Sequence, residues 1–168
     1  GRVVPWHHDS EALVPRWPAH AELRRQAWRR GGEPGAGVVV VEVDGLGPVR
    51  FCHGSPRTDE ECVTPETPEE RVLEFSEGVA ERVIVTAHVH IQFDREVAGI
   101  RSVNAGSVGL PYEGRPGAYW ALLGPDVELR RTEYDLQETI ERYRRSGQPG
   151  VEQIIEIKLT AEEQAAFD

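Results

Sequence analysis

Two short segments carry the residues best suited to chemistry, Phe51-Cys-His-Gly-Ser-Pro-Arg57 and Thr86-Ala-His-Val-His90. Each closes a run of β-branched and aliphatic residues, so each presents histidine where a buried strand should emerge. His88 and His90 stand at i and i+2, a spacing that on an extended backbone sends both side chains to one face. His53 ends its own strand and converges on them if the two strands are neighbours. Neutral imidazole suits Zn, Mn, Fe, Co or Ni, and a mixture of His and carboxylate ligands suits hydrolysis. The expectation is a metal site on one edge of a sheet, set against the plainer one of ordinary polar residues at strand exits. A third segment, Asn104-Ala-Gly-Ser-Val-Gly109, follows a short hairpin and reads as another loop of the same surface.

Those loops need strands to hold them. Residues 38–43 are almost entirely valine, a strand; Asp44-Gly-Leu-Gly47 turns the chain and residues 48–52 return, making a β-hairpin. Residues 82–87 are too continuously apolar to be half exposed, which predicts a central strand. Hairpins follow at 93–97 with 101–104, about Ala98-Gly99-Ile100, and at 118–123 with 127–132, across Gly124-Pro125-Asp126. Helices are expected at 19–30, after a Thr67 N-cap with Pro68 at the first helical position, and at 135–145. Residues 154–157 read as strand-like, followed by a capped turn at 160–163. The order gives an α/β (α+β) layer, β-rich, with helices packed outside. The chain is read as a single domain: residues 1–36 irregular, 38–135 the core, and 136–168 a C-terminal helix and tail.

The chain has 168 residues and a net charge of −10, a size that buries a real core and a charge that argues against a nucleic-acid polymer as partner. A small phosphorylated substrate remains compatible, because a bound metal supplies positive charge locally. No stretch approaches a membrane span and no signal peptide is evident, so the expectation is a cytoplasmic protein with Cys52 and Cys62 as reduced thiols. There is no methionine, even at position 1, and the chain is expected to have been cut from something longer.

The wording around the histidines, Phe-Cys-His-Gly-Ser-Pro-Arg, then Ala-His-Val-His-Ile-Gln-Phe-Asp-Arg, then Val-Asn-Ala-Gly-Ser-Val-Gly-Leu-Pro, resembles the calcineurin-like metallophosphoesterases, and among them the short bacterial predicted phosphodiesterases. The resemblance spans residues 38–135, with a degraded match at 3–13. It implies a β-sandwich flanked by helices, holding two divalent metals (Mn, Fe, Zn, Ni or Co) about 3.5–4 Å apart. Carried over by motif, His53 and His88 would bind one metal and His90 the other. In Val3-Val-Pro-Trp-His-His-Asp9, His7 would stand at a metal-ligating position and His8 at that of the catalytic histidine. Asn104 would lie in a loop beside the metals, on the substrate side. Arg57 would orient a phosphate through paired donors, or else make a surface ion pair with Asp59 or Glu60.

This sequence departs from that pattern at Ala87, where the family has glycine, and at Trp6. The family's Asp-x-His and Gly-Asp motifs, on earlier strands, have no counterpart before residue 3. Without a bridging aspartate two close divalent ions would repel uncompensated. The chain is therefore expected to be the C-terminal portion of a metallophosphoesterase domain, its N-terminal strands missing. It should bind one metal or none, turn over little alone, and expose an apolar edge that favours a homo-oligomer. The alternatives are a non-catalytic binding or regulatory module retaining one metal, and a structural zinc site at His53, His88 and His90.

Overall fold

Strands β2 (Val39–Val43) and β3 (Gly47–Phe51) form the expected hairpin, its turn closed by Leu46 N–H donating to the Val43 carbonyl at 3.0 Å. The computed structural model describes residues 2–3 and 37–156. Strand β4 (Val83–Thr86) is buried at all four positions and lies between β3 and β6 (Ile100–Ala105), parallel to both. Two parallel neighbours and burial on both faces account for its continuous apolar run. Strand β5 (Gln92–Val97) returns antiparallel to β6 through Ala98 and Gly99, whose φ values of 49° and 79° fit the tight turn that matches strand twist. The order in this five-stranded sheet is β2-β3-β4-β6-β5.

A smaller sheet, ordered β1-β7-β8, is built from β1 (Arg2–Val3), β7 (Ala118–Leu123) and β8 (Val127–Thr132). Its Ala121 and Leu123 pack with Val49, Phe51, Val83, Val85 and Val103 of the larger sheet, and Val127 and Leu129 close the cluster. Arg101 on β6 ties the layers at the rim, forking onto Asp94 of β5 at 2.7 and 2.8 Å and reaching Asp126 between β7 and β8. The opposite face of the larger sheet is covered by α1 (Glu69–Phe75), whose Val72 and Phe75 pack with Val63, Phe93 and Val97. Helix α2 (Leu136–Ser146) starts on Asp135, which accepts from Glu138 N–H at 2.9 Å, and stops at left-handed Gly147. The result is the mixed α+β sandwich flanked by helices that the sequence predicts.

Three local expectations change. Pro68, not Thr67, is the N-cap of α1; the Thr67 hydroxyl accepts instead from Thr64 N–H at 2.8 Å, closing a turn ahead of the helix. Residues 151–156 are helical, not strand-like, and form α3. Ile155 packs there with Leu136 and Ile140, a helical spacing of contacts that a short apolar run does not distinguish from a strand. The expected helix at 19–30 and the turn at 160–163 lie outside the described residues, as do His7 and His8. No helix among the described residues is long and apolar enough to cross a membrane.

Candidate metal centre

The ladder between β3 and β4 runs past both strand ends, with Cys52 N–H donating to Val85 O at 3.0 Å and Ala87 N–H to His53 O at 2.8 Å. That extension carries two histidines to one edge. His88 Nδ1 lies 3.1 Å from His53 Nε2, with ring centroids 5.0 Å apart and planes at 63°. Two nitrogens bound to one ion at 2.0–2.1 Å stand about 2.9–3.4 Å apart for right to tetrahedral angles. The pair thus has the separation of two ligands on one ion. In the metal-free pair one ring donates a proton to the other, and that proton must leave for both lone pairs to face a cation.

His88 reaches this position through a strained backbone. Its φ is 58°, and Val89 N–H donates to the Ala87 carbonyl at 2.6 Å, closing a γ-turn centred on it. Asn104 holds the turn from beneath. Its side chain is fully buried, its Nδ2 donates to Ala87 O at 2.8 Å and Val89 O at 3.0 Å, and its Oδ1 accepts from Gly106 N–H at 2.8 Å. With both amide ends engaged on backbone, Asn104 positions the histidine turn; it is not open to a substrate. Gly106 is required where it stands: its φ is 74° and a Cβ would come within 2.8 Å of Tyr119 Cβ.

The same γ-turn removes the basis of the same-face expectation for His88 and His90. The same-face rule for i and i+2 holds on extended backbone, but β4 ends at Thr86 and His88 is left-handed. His90 Nδ1–H donates to Leu110 O at 2.7 Å while its ring stacks on Tyr112 at 5.4 Å and 22°. A carbonyl only accepts, so in the neutral ring the lone pair sits on Nε2. Among the described residues no three His, Cys, Asp or Glu side chains gather as a metal cluster. His53 and His88 therefore fit two ligands of a single ion, and among the described residues neither His90 nor a carboxylate joins that pair.

Arg57 is also placed differently. Its ion-pair partners are Glu61, at 2.5 Å, and Glu74, at 3.0 Å, rather than Asp59 or Glu60. Arg71 bridges the same two carboxylates. The Arg57 fork holds the Glu61 carboxyl down at about 2, helped by the buried Ser55 hydroxyl, which donates to Glu61 at 2.5 Å. Ser55 Oγ in turn accepts from the N–H groups of Arg57 and Thr58 at 3.2 Å. A Cβ on Gly54 would meet the carbonyl oxygens of Thr58, Asp59 and Glu61 at 2.7 Å. Arg57 is thus a brace of the loop that follows His53. The residues that sequence reasoning missed are Glu61, Ser55 and Tyr112. Only the Ser-Pro-Arg-Thr turn wording around Ser55 offered a signal for any of them.

No family model and no curated protein matches the chain. Solved structures do. The chain is similar to hypothetical protein PH1004 from Pyrococcus horikoshii OT3, with TM-score 0.60 and 22% identity, the match covering 72% of this chain and 49% of that one. The chain thus spans about half the length of the Pyrococcus protein. It is also similar to a metallophosphoesterase from Sphaerobacter thermophilus, with TM-score 0.56 and 19% identity over 93% of this chain and 71% of that one. At these identities the likeness is one of fold: the chain has a metallophosphoesterase-like fold, with His53 and His88 paired at the edge of its larger sheet.

Proposed function

We propose that this chain serves metal-dependent phosphoester hydrolysis, His53 and His88 binding one divalent ion and the remaining ligands coming from outside the described residues. The observation that carries the reading is the 3.1 Å approach of the two imidazole nitrogens at the ends of adjacent parallel strands. An ion held there supplies Lewis acidity toward a phosphoryl oxygen and acidifies a water. The chain's own contribution is preorganisation. Asn104 fixes the His88 turn, and the brace of Arg57, Ser55 and Glu61 fixes the loop after His53. The proposed substrate is a small phosphomonoester or phosphodiester; the ion is Mn, Fe, Zn, Ni or Co; and His8 is the proposed acid for the leaving oxygen.

A second reading is a non-catalytic module keeping one ion. It is favoured by the lack of a third gathered ligand among the described residues. Metal content of the purified chain, assayed together with hydrolysis of bis-p-nitrophenyl phosphate under added Mn²⁺, separates the two. Hydrolysis with roughly one or two ions per chain, both lost in His53→Ala and in His88→Ala, supports the enzyme. Binding that depends on the two histidines without turnover supports the module. Metal content indifferent to both substitutions overturns the site itself.

A further inference from the structure

The outer strand of the larger sheet is built like an inner one. Among the described residues β2 is paired only with β3, so one side of it is an edge. Yet its residues are Val39, Val40, Val41, Glu42 and Val43, and both faces are apolar. Val41 and Val43 pack into the core between the sheets, while the adjacent Val38 packs with Cys52, Ile84 and Ile100 on the opposite face. Two other edges are guarded in the usual way, by charge: β5 carries Asp94, Arg95 and Glu96, and β8 carries Glu128, Arg130 and Arg131. Strand β2 has a single charge and neither proline nor glycine.

Its free hydrogen-bonding groups can be assigned. Cys52 N–H points to Val85 O, so along β3 the even-numbered residues face β4 and the odd-numbered ones face β2. The register Val39↔Phe51, Val41↔Val49 and Val43↔Gly47 then turns the amides of Val39, Val41 and Val43 inward. Pro48, which has no N–H to give, sits opposite Glu42, where none is needed. Val40 and Glu42 therefore present their N–H and C=O groups outward.

We infer that β2 is an association edge whose occupant is β2 of a second copy of this chain, antiparallel about a two-fold axis at Val41. That register sets Val41 against its own copy, Val39 against Val43, and Val40 against Glu42, so the outward groups of Val40 and Glu42 exchange hydrogen bonds across the axis. It keeps the core faces of the two sheets on one side, and it sets each Glu42 opposite a Val40 rather than directly opposite the other Glu42. The inference is independent of the phosphoesterase reading.

The test is light scattering of the chain over a concentration series, with backbone amide exchange read at Val40 and Glu42. Two variants accompany it, V40E and V40K, which place equal polar burdens on the edge. The register sets residue 40 against Glu42 of the copy. V40E therefore raises the dimer dissociation constant about tenfold or more, whereas V40K leaves it unchanged or lowers it. The expected result is a dimer with both amides protected and this opposite response to the two charges. A monomer at all concentrations overturns the proposal, whether those amides are exposed or are protected by the chain's own residues. So does a dimer that ignores both variants, or one that Lys weakens as much as Glu.

Discussion

His88 stands in a conformation that a branched-at-Cβ or bulky side chain avoids, and the surrounding structure holds it there. Its φ of 58° and the γ-turn around it are stabilised by a buried Asn104 that spends its whole amide on that loop. A non-glycine residue so placed costs on the order of 1–3 kcal/mol. Removing the imidazole and relieving the backbone are separable. His88→Ala and His88→Gly both delete the ligand, but only glycine accepts the left-handed geometry without strain. His88→Gly is expected to be more stable than His88→Ala by about 1 kcal/mol, measured by urea denaturation, with metal binding equally lost in both. Equal stability of the two variants would mean that the turn stores no strain.

The loop after β3 is an element in its own right, closed by Ser55 and pinned to α1 through Arg57, Glu61, Arg71 and Glu74. Because the Arg57 fork and the Ser55 hydroxyl lower the Glu61 carboxyl to about 2, the unfolded chain takes up this proton at higher pH than the folded one. The stabilisation from Glu61 is therefore complete above the ordinary carboxylate range, near pH 4.5, and is lost as pH falls toward about 2. A Glu61→Gln variant should be less stable at neutral pH and show a flatter decline through that window, read as denaturation midpoint against pH. At this scale the sequence was informative wherever a local rule decides. The unbroken apolar run of β4 declared a central strand, and Ala98-Gly99 declared a hairpin. The fate of the histidines was hidden because it depends on non-local contacts. Nothing near His88 in sequence announces that Asn104 will trap a left-handed turn, and that turn ends the extended backbone on which the same-face rule depends. Arg57 was likewise read with its sequence neighbours, whereas α1 brings Glu74 to it.

For the whole molecule, the sandwich places one cysteine inside and one outside, and this makes its cooperativity measurable. Cys52 continues β3, is 1% exposed and lies with Ile84 and Ile100 against the face opposite the inter-sheet core, while Cys62 is exposed; both thiols are free. Burial pushes the Cys52 thiol up to about 12, so at about pH 8 almost none of it is thiolate, the form that reacts. On that opposite face Ile84, Ile100, Val38 and Val79 pack around Cys52, so reagent reaches the sulfur only when this cluster opens. Ile84 and Ile100 lie on β4 and β6, at the centre of the larger sheet, so that opening is expected to require loss of the fold. A disulfide reagent should therefore take up one equivalent of thiol rapidly, at Cys62, and a second only at the rate of global unfolding, accelerated by denaturant in step with loss of circular dichroism. Rapid uptake of two equivalents in buffer would show that the cluster around Cys52 opens independently of the rest, and a histidine pair at the ends of β3 and β4 would then lack a rigid base.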